Sequence, residues 1–209
     1  MKIAHSFDRN VECRLGDQDI NSPTCQDAIA RVVRSNSGDI RYVIINPINL
    51  AEEKTSGIDV SAHASFDTPI GTLGLIGSYT HVIDHTFVRF TGDVELDKLA
   101  FDSDYYIPRD KASLSVNLEH GPWRFNVDAN YLSRLPNYDE DAWVSSYTTY
   151  NASVAYDITE RLTASLAIEN LLDEAPPHDD TWVSYPYYNT SWYDGIGRSG
   201  FLQLTYKLQ

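Results

Sequence analysis

The feature that most restricts what this chain can fold into is a two-residue rhythm of apolar and polar side chains that recurs along most of its length. It is cleanest where Trp123, Phe125, Val127, Ala129 and Tyr131 fall on one side and Arg124, Asn126, Asp128 and Asn130 on the other. Side chains of a strand point alternately to opposite faces, so this pattern specifies a strand with one apolar and one polar face. The same rhythm runs through Ile58 to Phe66, Leu73 to His81, Ala112 to Leu118, Tyr150 to Tyr156, Leu162 to Ile168 and Leu202 to Leu208. Seven strands are expected between residues 54 and 208, with an eighth near the N-terminus.

The connections alternate as well. They are short after Phe66, Glu119 and Asp157, and long after Asp84, Ser133 and Asp173. Asp67-Thr68-Pro69-Ile70-Gly71 and His120-Gly121-Pro122 carry the Pro and Gly of tight reversals. Short turns on one rim and long loops on the other are the construction of a transmembrane barrel, whose recognition loops all face outward. Trp123 and Phe125 beside a short turn, and Tyr150 and Tyr156 toward strand ends, stand where interfacial aromatic girdles stand. No stretch approaches the roughly 18 apolar residues of a membrane-spanning helix. Strand periodicity alone does not separate a barrel from a secreted β-sandwich, whose polar faces would meet water.

Near the C-terminus, Ile168-Glu169-Asn170-Leu171-Leu172-Asp173 is followed by Gly197-Arg198 and then by Leu204-Thr205-Tyr206-Lys207-Leu208. In order and spacing this resembles the end of a TonB-dependent outer-membrane receptor. The run Asn49-Leu50-Ala51-Glu52-Glu53-Lys54-Thr55-Ser56-Gly57-Ile58-Asp59 resembles the same family, where it leads into a long descending strand. The motif residues are therefore Asn170, Leu171, Leu172, Asp173, Gly197, Arg198 and Tyr206. The family usually ends on an aromatic residue, whereas here Leu208 precedes Gln209.

The resemblance implies an all-β, antiparallel up-and-down meander: a partial transmembrane β-barrel of seven or eight strands in the cell outer membrane of a Gram-negative organism. It implies outer-membrane lipid as one partner, a small-molecule ligand on the outer loops, and the TonB complex acting only through an N-terminal plug. Nothing in the chain corresponds to that plug, and Met1 to Asp8 carry no apolar run of secretory-signal length. The chain is therefore expected to be the C-terminal third or so of a receptor, residues 39–209 forming wall strands and residues 1–38 an outer-loop segment. The alternatives are a soluble secreted β-sandwich carbohydrate-binding module and a non-functional gene fragment.

Residues 1–38 read as polar and irregular, and they hold the two cysteines, Cys13 and Cys25. So close a pair reads as a loop disulfide, worth on the order of 3 kcal/mol by chain entropy. No Cys-x-x-Cys or neighbouring His favours a metal, and no cofactor is expected. A net charge of -14 argues against nucleic acid.

No Ser, Cys or carboxylate joins the six scattered His in a catalytic order, so no enzyme is expected. His63 reads as a solvated residue on a polar strand face. Asp139, Glu140, Asp141, Asp173, Glu174, Asp179 and Asp180 read as solvated loop carboxylates, with a cation at the first three as the competing reading. The stretch from Asp173 to Gly195 is more suggestive: Trp182, Tyr185, Tyr187, Tyr188 and Trp192, with Tyr193 beside them, crowd one exposed connection, and Trp143 ends the preceding loop. Aromatic planes beside carboxylates and amides suit a sugar face or a flat siderophore, and equally suit a loop packed upon itself.

Overall fold

The computed structural model describes Cys13, residues 19–45, Asn49 and residues 52–101 and 106–208. The expectations resting on Met1 to Asp8, Leu50, Ala51 and Gln209 lie outside these. The chain divides into two compact units, Met1–Thr55 with His85–Lys98, and Ser56–Asp84 with Leu99–Gln209.

Among the described residues the elements follow in order: α1 (Pro23–Arg31), β1 (Val32–Arg34), β2 (Ile40–Val43), β3 (Glu52–Thr68), β4 (Gly71–Val88), β5 (Leu96–Asp97), β6 (Asp110–His120), β7 (Trp123–Leu132), β8 (Leu135–Pro136), β9 (Trp143–Val144), β10 (Tyr147–Thr159), β11 (Leu162–Glu169) and β12 (Ser199–Tyr206). The seven long strands are hydrogen-bonded neighbours in the order β12-β11-β10-β7-β6-β4-β3, and β5 pairs with β4. Every pairing described is antiparallel.

Register carries the alternation from strand to strand. Leu118 lies opposite both Leu73 and Phe125, and Phe125 opposite Val154, which in turn faces Leu166 and, beyond it, Leu202. One continuous apolar stripe results. Ile58, Val60, Phe66, Leu114, Phe125, Val127, Leu166, Leu202 and Leu204 stay exposed on this side of the protein. A sandwich would cover such a stripe with a second sheet; among the described residues the remaining sheets are two-stranded, β1 with β2 and β8 with β9. Trp123 stacks on Phe125, with ring centroids 5.8 Å apart, and packs on Tyr156 at 4.4 Å, so the aromatic cluster sits at the short-turn end of the stripe.

The opposite face is a ladder of polar groups. The Arg124 guanidinium grips the Asp157 carboxylate with two bonds of 2.5 and 2.8 Å, and the Thr163 hydroxyl donates to the same carboxylate at 2.7 Å. Asn126 donates to Ser115 at 2.9 Å and to Asn117 at 2.8 Å, Ser78 pairs with Ser113, and Thr80 donates to Asp59 at 2.6 Å. Gly71 closes the β3 to β4 turn at φ 122°, where a Cβ would run into the Glu119 carbonyl oxygen.

The N-terminal part corrects two expectations. Residues 1–38 are not irregular throughout: Ser22 caps α1, its hydroxyl accepting from the Cys25 N–H at 3.2 Å, and Pro23 takes the first turn, where its missing N–H costs nothing. The helix buries Cys25 and Ala28. Cys25 is disulfide-bonded to Cys13 with a Cα separation of 5.6 Å, and Thr24 is tied to Asp93, hydroxyl to carboxylate at 2.6 Å. The eighth strand of the sheet is β5, in the polar stretch after Asp84, and not an N-terminal segment; β1 and β2 form a hairpin of their own. Four residues beyond Asp84 stay in β4, whose Phe87 is buried with the Lys98 ammonium 5.1 Å from its ring centre.

Candidate functional site

The long connections of the second unit gather at the strand ends opposite the short turns. Their stems are fixed by the residues that carried the resemblance. Asn170 adopts φ 48°, and its side-chain amide both donates to the Glu174 carbonyl at 2.8 Å and accepts from the Glu174 N–H at 2.9 Å. Its own N–H donates to Asn151 in β10. Asp173, at φ 58°, accepts the Arg198 N–H at 2.7 Å, and the Arg198 guanidinium donates to the Leu171 carbonyl at 3.3 Å. A Cβ on Gly197 would stand 2.9 Å from the Asp173 carboxylate. Asn170, Leu171, Asp173, Gly197 and Arg198 thus form a clasp across the two ends of the 173–197 loop, while Tyr206 lies on the apolar stripe opposite Leu162 and Leu172 is exposed.

Above the clasp, Asp179 joins this loop to the preceding one. It is 5% exposed, accepts the Tyr138 N–H at 2.9 Å and takes both the N–H and the hydroxyl of Thr181. This corrects its reading as a solvated carboxylate; Asp180 beside it is solvent-exposed. Asn137 is likewise buried, its side chain receiving the N–H groups of Asp141 and Ala142, each at 3.0 Å. Among the described residues no group of three or more His, Cys, Asp or Glu stands where it could hold a metal ion.

The six aromatic candidates separate into different settings. Trp182 is a wedge, edge-on to Tyr138 at 5.4 Å and to Tyr106 at 6.3 Å. Trp143 is held between Phe101 at 4.9 Å and the Arg134 guanidinium at 4.2 Å. Tyr185, 84% exposed, and Tyr187 meet at the loop tip. Tyr188 packs against Tyr193, which packs edge-on against Tyr147. Tyr193 is buried, its hydroxyl has no hydrogen-bond partner among the described residues, and burial followed by the neighbouring Tyr147 pushes its pKa up to about 12.

Trp192 alone of the six lines the cavity on the polar face, which has a volume of about 340 Å³. The cavity floor is formed by Asn130, Thr149 and Asn151, and its sides by Glu169, Asp194 and Tyr147. The Lys111 ammonium lies 4.2 Å from the Trp192 ring centre. Apart from Trp192 and the motif residue Asn170, the lining residues do not stand out in the sequence; the one signal for Asn130, Thr149 and Asn151 is position, as polar-side residues at the long-loop ends of β7 and β10.

A family described as "TonB dependent receptor-like, beta-barrel" matches residues 20–171. The chain belongs to the TonB-dependent receptor β-barrel family. No curated protein matches it. Among solved structures it is similar to the siderophore receptor PiuA of Acinetobacter baumannii, with 18% identity and a TM-score of 0.51 over 74% of this chain. It is also similar to a variant of the ferric enterobactin receptor PfeA of Pseudomonas aeruginosa, with 12% identity and a TM-score of 0.47 over 73% of this chain. The matched region spans 22% of each of those receptors. In transmembrane barrels the apolar side of each strand faces lipid and the polar side faces the lumen.

Proposed function

We propose that the chain supplies wall strands and outer loops to a receptor that takes up a scarce ligand across the outer membrane. In this reading residues 39–209 are wall, residues 1–38 are an outer-loop segment, lipid covers the apolar stripe, and TonB acts through an N-terminal plug. The observation that carries the reading is the pairing of faces: an exposed apolar stripe on one side, and on the other a cavity lined by Trp192, Asp194 and Ile196 of the longest aromatic loop, at the strand ends opposite the short turns. A lipid-facing wall needs the first, and ligand capture from outside needs the second.

The test is an immunoblot of fractionated source cells with antibody raised to the loop from Asp173 to Gly195. A band in the outer-membrane fraction is expected, heavier than 209 residues account for if the wall is completed within one polypeptide. A band confined to the soluble fraction would remove the uptake reading.

A further inference from the structure

The cavity on the polar wall has a chemical bias of its own. The side chains of Asn130, Thr149 and Glu169 line it without making a hydrogen bond to any described residue. Asn151 spends its carbonyl oxygen on the Asn170 N–H at 2.9 Å and keeps its amide donors; Asp194 spends one carboxylate oxygen on the Ile196 N–H at 2.9 Å and keeps the other. The lining therefore offers amide donors, a hydroxyl and two carboxylates as spare partners, beside the Trp192 indole and the apolar bodies of Tyr131, Leu132 and Ile196.

Charge selects among ligands that could use this set. Glu169 and Asp194 line the cavity, and Lys111 is placed over the Trp192 ring. An anionic iron chelate would meet two like charges at short range, with its own hydration stripped away. A neutral ring bearing several hydroxyls meets no such penalty: its hydroxyls donate to the carboxylates, accept from the amides, and its C–H face lies on the indole. At about 340 Å³ the cavity is at the small end of ligand pockets, roughly 300–1,000 Å³.

We propose that this cavity is a saccharide subsite that takes one pyranose unit, in preference to an anionic siderophore complex. The proposal rests on the uptake reading for its place in the cell, but binding is tested apart from transport. The full chain, folded in detergent and checked by its β-sheet circular dichroism, is titrated with methyl glucoside, methyl galactoside and N-acetylglucosamine. Ferric enterobactin serves as the anionic comparator and spermidine as the cationic one. Tryptophan emission and saturation transfer to the sugar protons are read.

At least one pyranose is expected to bind, and Trp192→Ala and Asn151→Ala to weaken it by about fivefold to tenfold each, the worth of one polar or packing contact. The isosteric Glu169→Gln, which leaves the wall's shape intact, is expected to weaken it by a similar factor. Tyr185→Ala, at the exposed loop tip, is expected to leave it unchanged. Binding of no pyranose by the folded chain would overturn the proposal, as would Trp192-dependent binding of ferric enterobactin or spermidine alone. Pyranose binding by a chain found only in the soluble fraction would remove uptake and keep the subsite; an outer-membrane location without pyranose binding would do the reverse.

Discussion

Exchanging Val127 for Arg puts the two faces of the sheet to a direct test. Val127 lies on the apolar stripe between Val116 and Ala152, 45% exposed, four residues along β7 from Trp123. At about 3.4 Å per residue and a tilt of about 40°, it stands about 10 Å above the aromatic cluster, near the middle of an apolar band about 25 Å tall. Val127→Arg at that depth costs about 2–4 kcal/mol, a factor of roughly 30 to 1,000 in the folding equilibrium. The comparator is Ser153→Arg, on the polar face opposite Asn126, expected to cost under about 1 kcal/mol. The assay is guanidinium unfolding of the full chain in phospholipid vesicles, followed by tryptophan emission. Equal midpoints for the two variants would refute the assignment of faces. So would a chain that folds as a monomer without lipid or detergent and tolerates Val127→Arg.

Three further outcomes are expected. Arg198→Ala opens the clasp by removing the bond to the Leu171 carbonyl, costing about 1 kcal/mol, and limited proteolysis should then cut between residues 173 and 197 at much lower protease concentration. Asp179→Ala removes the bond from the Tyr138 N–H to the Asp179 carboxylate at a cost of about 1–3 kcal/mol; the emission of Trp182, which packs on Tyr138, should shift to the red, and an unshifted spectrum would show that Asp179 does not join the loops. Tyr193, its pKa raised to about 12 by burial, should ionise last in a titration at 295 nm, and that late phase should vanish in Tyr193→Phe. Because its folded pKa lies above the unfolded value of about 10, its contribution to stability is fully present below pH 10 and is lost as the pH rises toward 12.

The seven long strands, and the face on which each of their side chains falls, were legible because the pleat fixes a period of two whatever the neighbours are. Trp123 to Tyr131 could not alternate as they do in a helix. The motif from Asn170 to Asp173 was legible as a resemblance, but its role as a clasp was not, since Arg198 lies 25 residues from Asp173 and only their meeting shows why Gly197 must be small. Helix α1 leaves little periodicity in the sequence because it is short and only two of its residues are buried, although Ser22-Pro23 is a start signal that names its own position.

What the sequence by itself determined is the wall: local alternation plus turn chemistry sets strand, face and rim without reference to anything distant. What only the tertiary structure decided is the fate of groups whose neighbours come from other elements. Asp179 became a buried tie where Asp180 stayed in water, Trp182 became a wedge where Tyr185 stayed at the tip, and Asn130, Thr149 and Asn151 became a cavity floor where the same residue types nearer the short turns bond to one another. A side chain's direction is a property of its own strand, but its burial and its hydrogen-bond partners depend on which loop folds over it, and no local period encodes that.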